Sequence, residues 1–459
     1  MLAVVLVGAA FLAGVDLFIV NVAFDQIGAD FAGADLSALS WILSAYAVVY
    51  AAMLVPMGRL ADRFGQKRGF VAGMSVFVVA SLLCGLAPGV WWLVAFRAVQ
   101  AVGAAAMTPA SLGLLLAAVA PERRAPAARM WALTGAVAAA LGPAVGGFLV
   151  QISWHWAFWI NLPIGALLIL GAVRLVPDVR PDADTPLPDL LGAVVLAVAV
   201  GALMLGLVQG AKWGWGSLEV LGCFATALMA LGLFARRTTR HRSPVISPAL
   251  LTVPDFRWAN IATLAFNIGF GAALLGAILW LQREWEYGAL QTGLAVALGP
   301  LAVPVTSILA HRVLPNVRPG SMIAAGSLVF AGAVLWQSWT LGPTPAYLTD
   351  FLPAWVLAGV GVGLAMPNLV AAATAGLPPD QTSTGAGVVN MARQVGLAFG
   401  VSILVTLIDS HATTSQIAFD RAWYTVAAAM IIAAAAGLRI QRREPALPAD
   451  APTPSVTSP

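Results

Sequence analysis

The stretch GRLADRFGQKR, residues 58–68, joins two long apolar segments of this 459-residue chain. Loops on one side of a membrane are rich in Lys and Arg, which accounts for the four cations of this stretch but not for Asp62 among them. Gly58 predicts the close approach of a neighbouring helix, and Gly65 predicts a tight turn before the next segment. Asp62 can accept hydrogen bonds from the N-terminus of a neighbouring helix, where the helix dipole favours an anion.

The composition around this stretch indicates an integral membrane protein. Hydrophobic residues make up 60% of the chain and charged residues only 10%, whereas soluble domains are about a quarter charged. Lipid accepts apolar side chains that water would not. The two cysteines, Cys84 and Cys223, lie inside apolar runs and form neither a disulfide framework nor a metal-ligand pattern. The sequence therefore predicts no metal and no cofactor.

Apolar runs of membrane-spanning length recur along the chain, and a span needs about 20 mostly apolar residues. Runs that are bounded by charges or turn residues predict about fourteen helices, so that both termini lie on one side of the membrane. The predicted spans are 2–23, 40–58, 69–87, 91–119, 128–150, 157–175, 189–210, 218–235, 258–281, 288–310, 320–341, 346–375, 383–408 and 420–439.

Lys and Arg lie mostly on one side of these spans. Nineteen of them fall in the loops, the linker and the tail on the side of residues 58–68. Three fall on the other side, Lys212, Arg283 and Arg421. The positive-inside rule then predicts that both termini are cytoplasmic, and the residue usage favours a bacterial inner membrane. The net charge of +4 is accounted for by this topology signal, so we expect no nucleic-acid partner.

Residues 58–68 resemble the loop 2–3 signature of the major facilitator superfamily at nearly every position. The run FRAVQAVG, residues 96–103, looks like the family's Arg motif in span 4, with Ala101 where a glycine is usual. Gly135 and the run GPAVGG, residues 142–147, are similar to the antiporter motif of exporters. The alternative is that small residues at this spacing simply permit tight helix packing.

Two further runs resemble the fourteen-span drug:proton antiporters of that superfamily. The run WHWAFWINLPIG, residues 154–165, looks like their loop 5–6 signature. The run VDLFIVNVA, residues 15–23, looks like their span-1 motif, although Phe18 stands where threonine is expected and could change the shape of the pocket. The loop after predicted span 10, residues 311–318, keeps the cations of a second loop 2–3 copy but not the acid.

The resemblance implies an all-α major facilitator fold, in which two six-helix bundles are joined by two additional central helices. The implied domains are 1–176 for the N-terminal bundle, 177–188 for a cytoplasmic linker, 189–235 for the extra helices, 236–257 for a basic cytoplasmic loop, 258–441 for the C-terminal bundle and 442–459 for a disordered tail. It also implies that Asp62 bonds to the start of the penultimate span, near Ser383 and Thr384. The implied gating residues are Gly58, Arg59, Asp62, Arg63, Gly65 and Arg68, and those of the antiporter motif are Gly135, Gly142, Pro143, Gly146 and Gly147.

Ionisable residues inside spans are rare and expensive, so each one is a functional candidate. Asp16 in span 1 and Arg97 in span 4 fall at about the same depth when counted at about 1.5 Å per residue, and these spans are neighbours in the family fold. We therefore expect Asp16 to exchange its proton with substrate and Arg97 to respond. The alternative is a permanent ion pair that holds the two spans together. Arg393 is placed towards the cytoplasmic end of span 13, where a long side chain can reach the headgroups.

The substrate pocket is expected to be apolar with few polar groups, and as a set its candidates predict a cationic or neutral amphipathic substrate. They are Asn21, Trp41, Tyr46, Gln100, Met107, Asn267, Trp280, Met366, Asn368, Asn390 and Arg393. Taken singly, a residue of each of these types more often packs in the helix bundle or belongs to the interfacial belt than contacts a ligand.

The expected function is proton-coupled export of small amphipathic compounds by a protein that works as a monomer in contact with lipids. The alternative within transporters is a narrow exporter of one antibiotic, lipid or metabolite. An intramembrane enzyme is disfavoured because it would need several acids or histidines at one depth, and only Asp16 is available. The sequence carries no nucleotide-binding loop, which disfavours an ATP-driven pump.

Overall fold

The computed structural model describes residues 2–31, 36–177, 189–314, 316–378, 381–408 and 415–441, and these residues form helices and no strands. A bundle of helices is the expected solution for an apolar chain in lipid, because each helix satisfies its own backbone N–H and C=O groups. The predicted linker 177–188, beyond its first residue, and the predicted tail 442–459 lie outside the described residues.

The helices before the central pair form the N-terminal half. They are α1 (Leu2–Asp30), α2 (Leu36–Phe64), α3 (Gln66–Cys84), α4 (Val90–Ala117), α5 (Arg124–Ile152), the short α6 (Trp156–Trp159) and α7 (Asn161–Leu175).

The central pair is α8 (Leu190–Trp213) and α9 (Leu218–Thr238). The C-terminal half follows with the short α10 (Pro248–Thr252), α11 (Pro254–Arg283), α12 (Ala289–Val313), α13 (Pro319–Thr340), α14 (Leu352–Thr374), α15 (Thr382–Ile408) and α16 (Ser415–Leu438). A π-helical turn, Tyr347–Phe351, leads into α14.

Twelve helices within the described residues are long and apolar enough to cross a membrane. The sequence count is fourteen, and the difference falls on predicted spans 1 and 5. These form α1 and α5, each 29 residues long, both of which contain side chains outside the described residues. The chain is thus a multi-pass membrane protein with at least the twelve helices that meet both criteria.

The two halves repeat one packing pattern. In the N-terminal half α3 packs on α4, α2 on α4, and α1 on α5; in the C-terminal half α13 packs on α14, α12 on α14, and α11 on α15. The contacts of α7 with α1 and α3 are matched by those of α16 with α11 and α13. Corresponding contacts in two consecutive halves are the structural form of an internal repeat.

Two sets of contacts join the halves. Helices α2 and α4 contact α15, and in the matching positions α12 and α14 contact α5. Helix α8 of the central pair packs against both α2 and α15, and the Ser402 hydroxyl donates to the Leu207 carbonyl across the α8–α15 contact at 2.8 Å. Helix α9 lies outside α8, with most of its surface exposed.

Some predicted boundaries were wrong. Helix α2 continues through the predicted loop to Phe64, because Leu, Ala and Arg are good helix formers and only Gly65, with a φ of 107°, stops it. The predicted loop 236–257 contains α10 and the start of α11, where Pro248 and Pro254 occupy first-turn positions that favour a helix start.

Candidate functional site

An ion pair lies in the interior of the N-terminal half. The Arg97 Nη1 atom of α4 lies 2.6 Å from Asp16 Oδ2 of α1, and neither side chain has any exposed surface. The structure therefore brings together the two residues that the sequence predicts as a pair. Burying two charges is expensive even when they are paired, because both lose their hydration. A buried pair of this kind is weak evidence for stability and stronger evidence for function.

Polar side chains from three helices complete the site around the Asp16 carboxylate. Gln100 and Asn161 each donate from their side-chain nitrogen to Asp16 Oδ1 at 2.8 Å. Gln100 also donates to the Ser81 hydroxyl at 2.7 Å, and its own oxygen accepts from Arg97 at 2.6 Å. Both oxygens of the carboxylate therefore accept hydrogen bonds, from Arg97, Gln100 and Asn161.

An aromatic ring covers the other partner of the pair. The Arg97 guanidinium carbon lies 4.1 Å from the centre of the Tyr46 ring of α2, within the range of a cation–π interaction. The Phe158 ring is more distant, at 5.8 Å. Tyr46 was expected in the substrate pocket, but its ring is almost fully buried against Arg97. It stacks in turn on Tyr50, with 5.8 Å between the ring centres.

A second polar contact joins the two halves at the end of α2. Asp62 accepts hydrogen bonds from the backbone N–H groups of Ser383 and Thr384, at 3.0 and 2.7 Å, and from the Thr384 hydroxyl at 2.6 Å. These residues open α15, so that the carboxylate caps the N-terminus of a helix from the other half. The Gln66 amide also donates to Asp62, at 2.9 Å.

The glycines of the same motif have the roles that the sequence predicts. A Cβ atom on Gly58 would lie 2.5 Å from the Ser383 carbonyl oxygen, which is closer than any side chain allows. The backbone of α15 therefore approaches α2 directly at this point. Gly65 has a φ of 107°, in the region that favours glycine, at the turn between α2 and α3.

The cations of the motif point in different directions. Arg59 donates to the Ser243 hydroxyl at 3.1 Å, which ties the motif to the segment after α9. Lys67 donates to the carbonyl oxygens of Val173 and Val176 at the end of α7. Arg63 lies over the neighbouring Phe64 ring, and Arg68 is exposed. Asp62 is the charged residue of the motif whose hydrogen bonds reach α15 of the C-terminal half.

The small residues of α5 contact α1 closely. A Cβ on Gly146 would lie 3.1 Å from the Cα atom of Ile19, and one on Gly14 would lie 2.8 Å from the Cβ of Ala138. Gly142 is also buried, whereas nothing lies within 4 Å of the position of a Cβ on Gly147. The Pro143 side chain lies outside the described residues. Tight packing therefore accounts for Gly146, as the alternative interpretation of the motif expects.

Arg393 lies well inside α15. Helix α15 has 27 residues and begins at Thr382, eleven residues before Arg393, which at about 1.5 Å per residue is a depth of about 16 Å. Arg393 is thus nearer the middle of this helix than either of its ends, in a helix about 40 Å long. Its Nη1 atom donates to Asn390 Oδ1 at 3.2 Å.

The other predicted pocket residues have different immediate neighbours. Trp41 lies beside Trp213 of α8, and Trp280 packs edge-on against Phe419 of α16. The amide nitrogens of three asparagines bond to carbonyl oxygens one turn back in their own helices; these are Asn267, Asn368 and Asn390. Met107 and Met366 are buried. The side chain of Asn21 lies outside the described residues.

Two residues of the buried network were not predicted from the sequence. Asn161 lies in the run 154–165, which resembles a family signature, and this resemblance could have identified it as a candidate site residue. Ser81 gave no signal, because a serine in an apolar helix commonly bonds to its own backbone, as Ser81 does to the Phe77 carbonyl at 2.8 Å.

The sequence matches the profile of the family described as Major Facilitator Superfamily over residues 6–401. It is 33% identical to the puromycin resistance protein of Streptomyces alboniger over 90% of this chain and 82% of that protein. It is also 33% identical to the cephamycin export protein of Amycolatopsis lactamdurans, over 89% of this chain and 84% of that protein.

A solved structure has the same fold at low sequence identity. The human organic anion transporter MFSD10 superposes with a TM-score of 0.67 at 13% identity, over 94% of this chain and 98% of that one. At this identity the likeness concerns the fold alone.

Proposed function

The chain belongs to the major facilitator superfamily, and we propose that it is a proton-coupled exporter of small amphipathic compounds such as antibiotics, drugs and dyes. The names of its relatives, a puromycin resistance protein and a cephamycin export protein, support export of antibiotics. The observation that carries proton coupling is the fully buried Asp16–Arg97 pair. A protonatable acid at membrane depth is the feature that such coupling requires.

In this proposal Asp16 carries the proton. When the carboxylate is ionised, it holds Arg97 directly and, through Oδ1, the Gln100 and Asn161 amides. Protonation removes the negative charge, so that the Arg97 guanidinium loses its partner in a region without water. The two protonation states therefore favour different arrangements of α1, α4 and α7. A proton shifts the conformational equilibrium by its difference in affinity for the two arrangements.

The contact of Asp62 with α15 is the proposed gate. It holds the two halves together at the end of the bundle that carries residues 58–68, and a compound bound between the halves cannot leave on that side. A carboxylate at a helix N-terminus contributes about 0.3–1 kcal/mol, and up to about 2 kcal/mol when partly buried. A contact of this size is strong enough to bias the two states and weak enough to break in each cycle.

We further propose that α1 and α5 cross the membrane, which gives fourteen spans. Both have 29 residues, and each packs in the position that corresponds to a spanning helix of the other half, α11 and α15. The loop cations then place both termini and the Asp62 gate on the cytoplasmic side of the bacterial inner membrane.

The second candidate function is export of one antibiotic or a narrow group of them. The names of both relatives support it, because each one refers to a single compound. A narrow exporter would use the same proton site and gate and would differ only in the pocket. The two functions are therefore separated by substrate breadth and not by coupling.

Efflux from cells tests the proposal and separates these candidates. Cells that express the protein are loaded with a panel of cationic, neutral and anionic dyes and antibiotics, and export is followed with and without an uncoupler. Uncoupler-sensitive export of several compounds supports the broad exporter, and that of one compound supports the narrow one. Export that continues unchanged after collapse of the proton gradient would rule out proton coupling.

A further inference from the structure

Arg393 is a cation between the two halves of the molecule. It belongs to α15 of the C-terminal half, and a Cβ atom on Gly135 of α5, in the N-terminal half, would lie 3.7 Å from its Nη2 atom. The side chain is partly exposed. Because its Nη2 atom lies next to α5 of the opposite half, the guanidinium lies where the two halves meet.

The charge of Arg393 has no counter-charge within the described residues. Its one side-chain hydrogen bond is the 3.2 Å contact from Nη1 to Asn390 Oδ1, and its Nε atom is buried without a partner. Neither the Asp16–Arg97 ion pair nor the Asp189–Arg237 ion pair involves Arg393. Arg97 at membrane depth is neutralised by an acid of the protein, whereas Arg393 is not.

The surroundings of Arg393 are neutral and polar on one side. Tyr50 lies within electrostatic range of the guanidinium, and its hydroxyl donates to the Thr108 hydroxyl at 3.3 Å. A guanidinium stays protonated in proteins and offers five N–H donors in a planar fork. A carboxylate matches this fork with two parallel hydrogen bonds. The partner that the site lacks is therefore an acidic group.

We propose that Arg393, with Asn390 hydrogen-bonded to it, forms a subsite for the acidic group of an exported amphipathic compound, with a carboxylate as the best match. This inference rests on the proposed export function and assigns it a substrate class. It replaces the expectation of a cationic or neutral substrate, which was drawn from the aromatic and amide residues without the depth of Arg393.

The same residues connect this subsite to the proton site. Tyr50 stacks on Tyr46 with 5.8 Å between ring centres, and the Tyr46 ring lies 4.1 Å from the Arg97 guanidinium carbon. Tyr50 interacts electrostatically with Arg393 and stacks on the tyrosine that covers Arg97, which links the two sites through α2. A shift of α2 that moves these two rings changes both sites together, which is the link that coupled transport needs.

Binding of two compounds that differ only in charge tests the subsite. The full-length protein in phosphatidylcholine nanodiscs is titrated with 2-naphthoate and with 2-naphthamide, and empty nanodiscs provide the background. We expect the wild type to prefer the acid, and Arg393→Gln to bind the acid about tenfold more weakly, because it loses a charge-assisted hydrogen bond. Binding of the amide should change little. Arg421→Gln, at an exposed arginine of α16, is the matched control.

A second pair of variants keeps Arg393 in place. Since a Cβ on Gly135 fits at 3.7 Å from Arg393 Nη2, Gly135→Asp places a carboxylate of the protein in the subsite, and Gly135→Asn is its neutral isostere. We expect Gly135→Asp to weaken binding of the acid by about tenfold relative to Gly135→Asn. This comparison remains informative if Arg393→Gln fails to fold.

The subsite is wrong if the wild type does not prefer the acid, or if neither Arg393→Gln nor Gly135→Asp weakens its binding. Repetition with phosphatidylglycerol in the nanodiscs identifies lipid as the occupant if the anionic headgroups abolish binding of the acid to the wild type, a result that also overturns the proposal. Uncoupler-sensitive export of a cationic dye, measured in parallel, shows whether the export function stands when the subsite does not.

Discussion

Asp16 Oδ2 and Arg97 Nη1 lie 2.6 Å apart at a place where neither side chain has exposed surface. Asp16 is the fifteenth residue of the 29-residue α1, and its other oxygen accepts two further hydrogen bonds. Removal of one partner from a buried ion pair typically costs about 3–5 kcal/mol. Proton movement at this site is therefore a large perturbation, of the size needed to drive a conformational change.

Asp62→Asn should weaken the contact between α2 and α15. The amide loses the charge that favours a helix N-terminus, a contribution of about 0.3–1 kcal/mol, and one of its two ends no longer accepts hydrogen bonds. Spin labels at Phe64 and Gly376 report the separation of the two halves by double electron–electron resonance. We expect their distance distribution to show a larger open population, and we expect export to be slower.

The control for Asp62 is Glu122→Gln, which removes an exposed carboxylate from the turn before α5. The spin-label distances of this variant should match those of the wild type. Unchanged distances in Asp62→Asn would contradict its role in the gate.

Gly58→Ala tests the same gate by adding a methyl group at the contact of α2 with α15, without changing its charge. The added Cβ would lie 2.5 Å from the Ser383 carbonyl, so that the backbones of α2 and α15 must separate. Overpacking of this kind costs about 1–3 kcal/mol, and it falls on the closed state alone. Export and the closed spin-label population should both decrease. Gly222→Ala in α9, where nothing lies within 4 Å of the new Cβ, should leave both unchanged, and equal behaviour of the two variants would refute the close approach.

Asp189 before α8 gives a pH-dependent prediction. Burial opposes its ionisation, but hydrogen bonds from Arg237 and from the Gly192 N–H outweigh burial and hold the Asp189 pKa below its ordinary value. A depressed carboxyl pKa stabilises the folded state above the unfolded pKa of about 3.9, and this contribution is lost as the pH falls through the folded pKa. Substitution of Asp189 should therefore lower the melting temperature near neutral pH and not in strong acid.

Two variants separate the roles of Asp189. Its side chain caps α8 through the 2.8 Å bond from Gly192 N, which Asn can also accept. Asp189→Asn should lower the melting temperature at pH 7 slightly. High salt should lower the melting temperature of the wild type towards that of the variant, because the Arg237 partner is partly exposed. Asp189→Ala loses the cap as well, which costs about 1 kcal/mol more. Equal effects of the two variants would show that the cap contributes nothing.

The fold could be predicted from the sequence because its decisive signals are local. Apolar run length predicts the long helices, and the contact of Asp62 with Ser383 and Thr384 was implied by the resemblance of residues 58–68 to a family signature. The end of α2 could not be predicted from the sequence, because the membrane surface does not stop a helix whose next residues are also helix formers.

The site was predicted only in part. Asp16 and Arg97 stand out because charge is rare in lipid, but Asn161 and Ser81 are ordinary residues of an apolar helix until its rotation about its axis is known. The same ignorance of rotation explains the scattered pocket candidates, such as Trp41 and Trp280, which face α8 and α16.

Proton-driven export by Asp16→Asn is the most direct test of proton coupling through Asp16. The variant is reconstituted in liposomes with an imposed proton gradient, and transport is measured for the dye that wild-type cells export best. Asn keeps the size of the side chain and an oxygen that accepts from Gln100 or Asn161. Glu219→Gln, at an exposed acid of α9, is the control. We expect Asp16→Asn to stay folded, to equilibrate the dye down its gradient, and no longer to accumulate it in response to the proton gradient. Accumulation by Asp16→Asn at the wild-type rate would contradict this expectation and would leave the Asp16–Arg97 pair as a permanent link between α1 and α4.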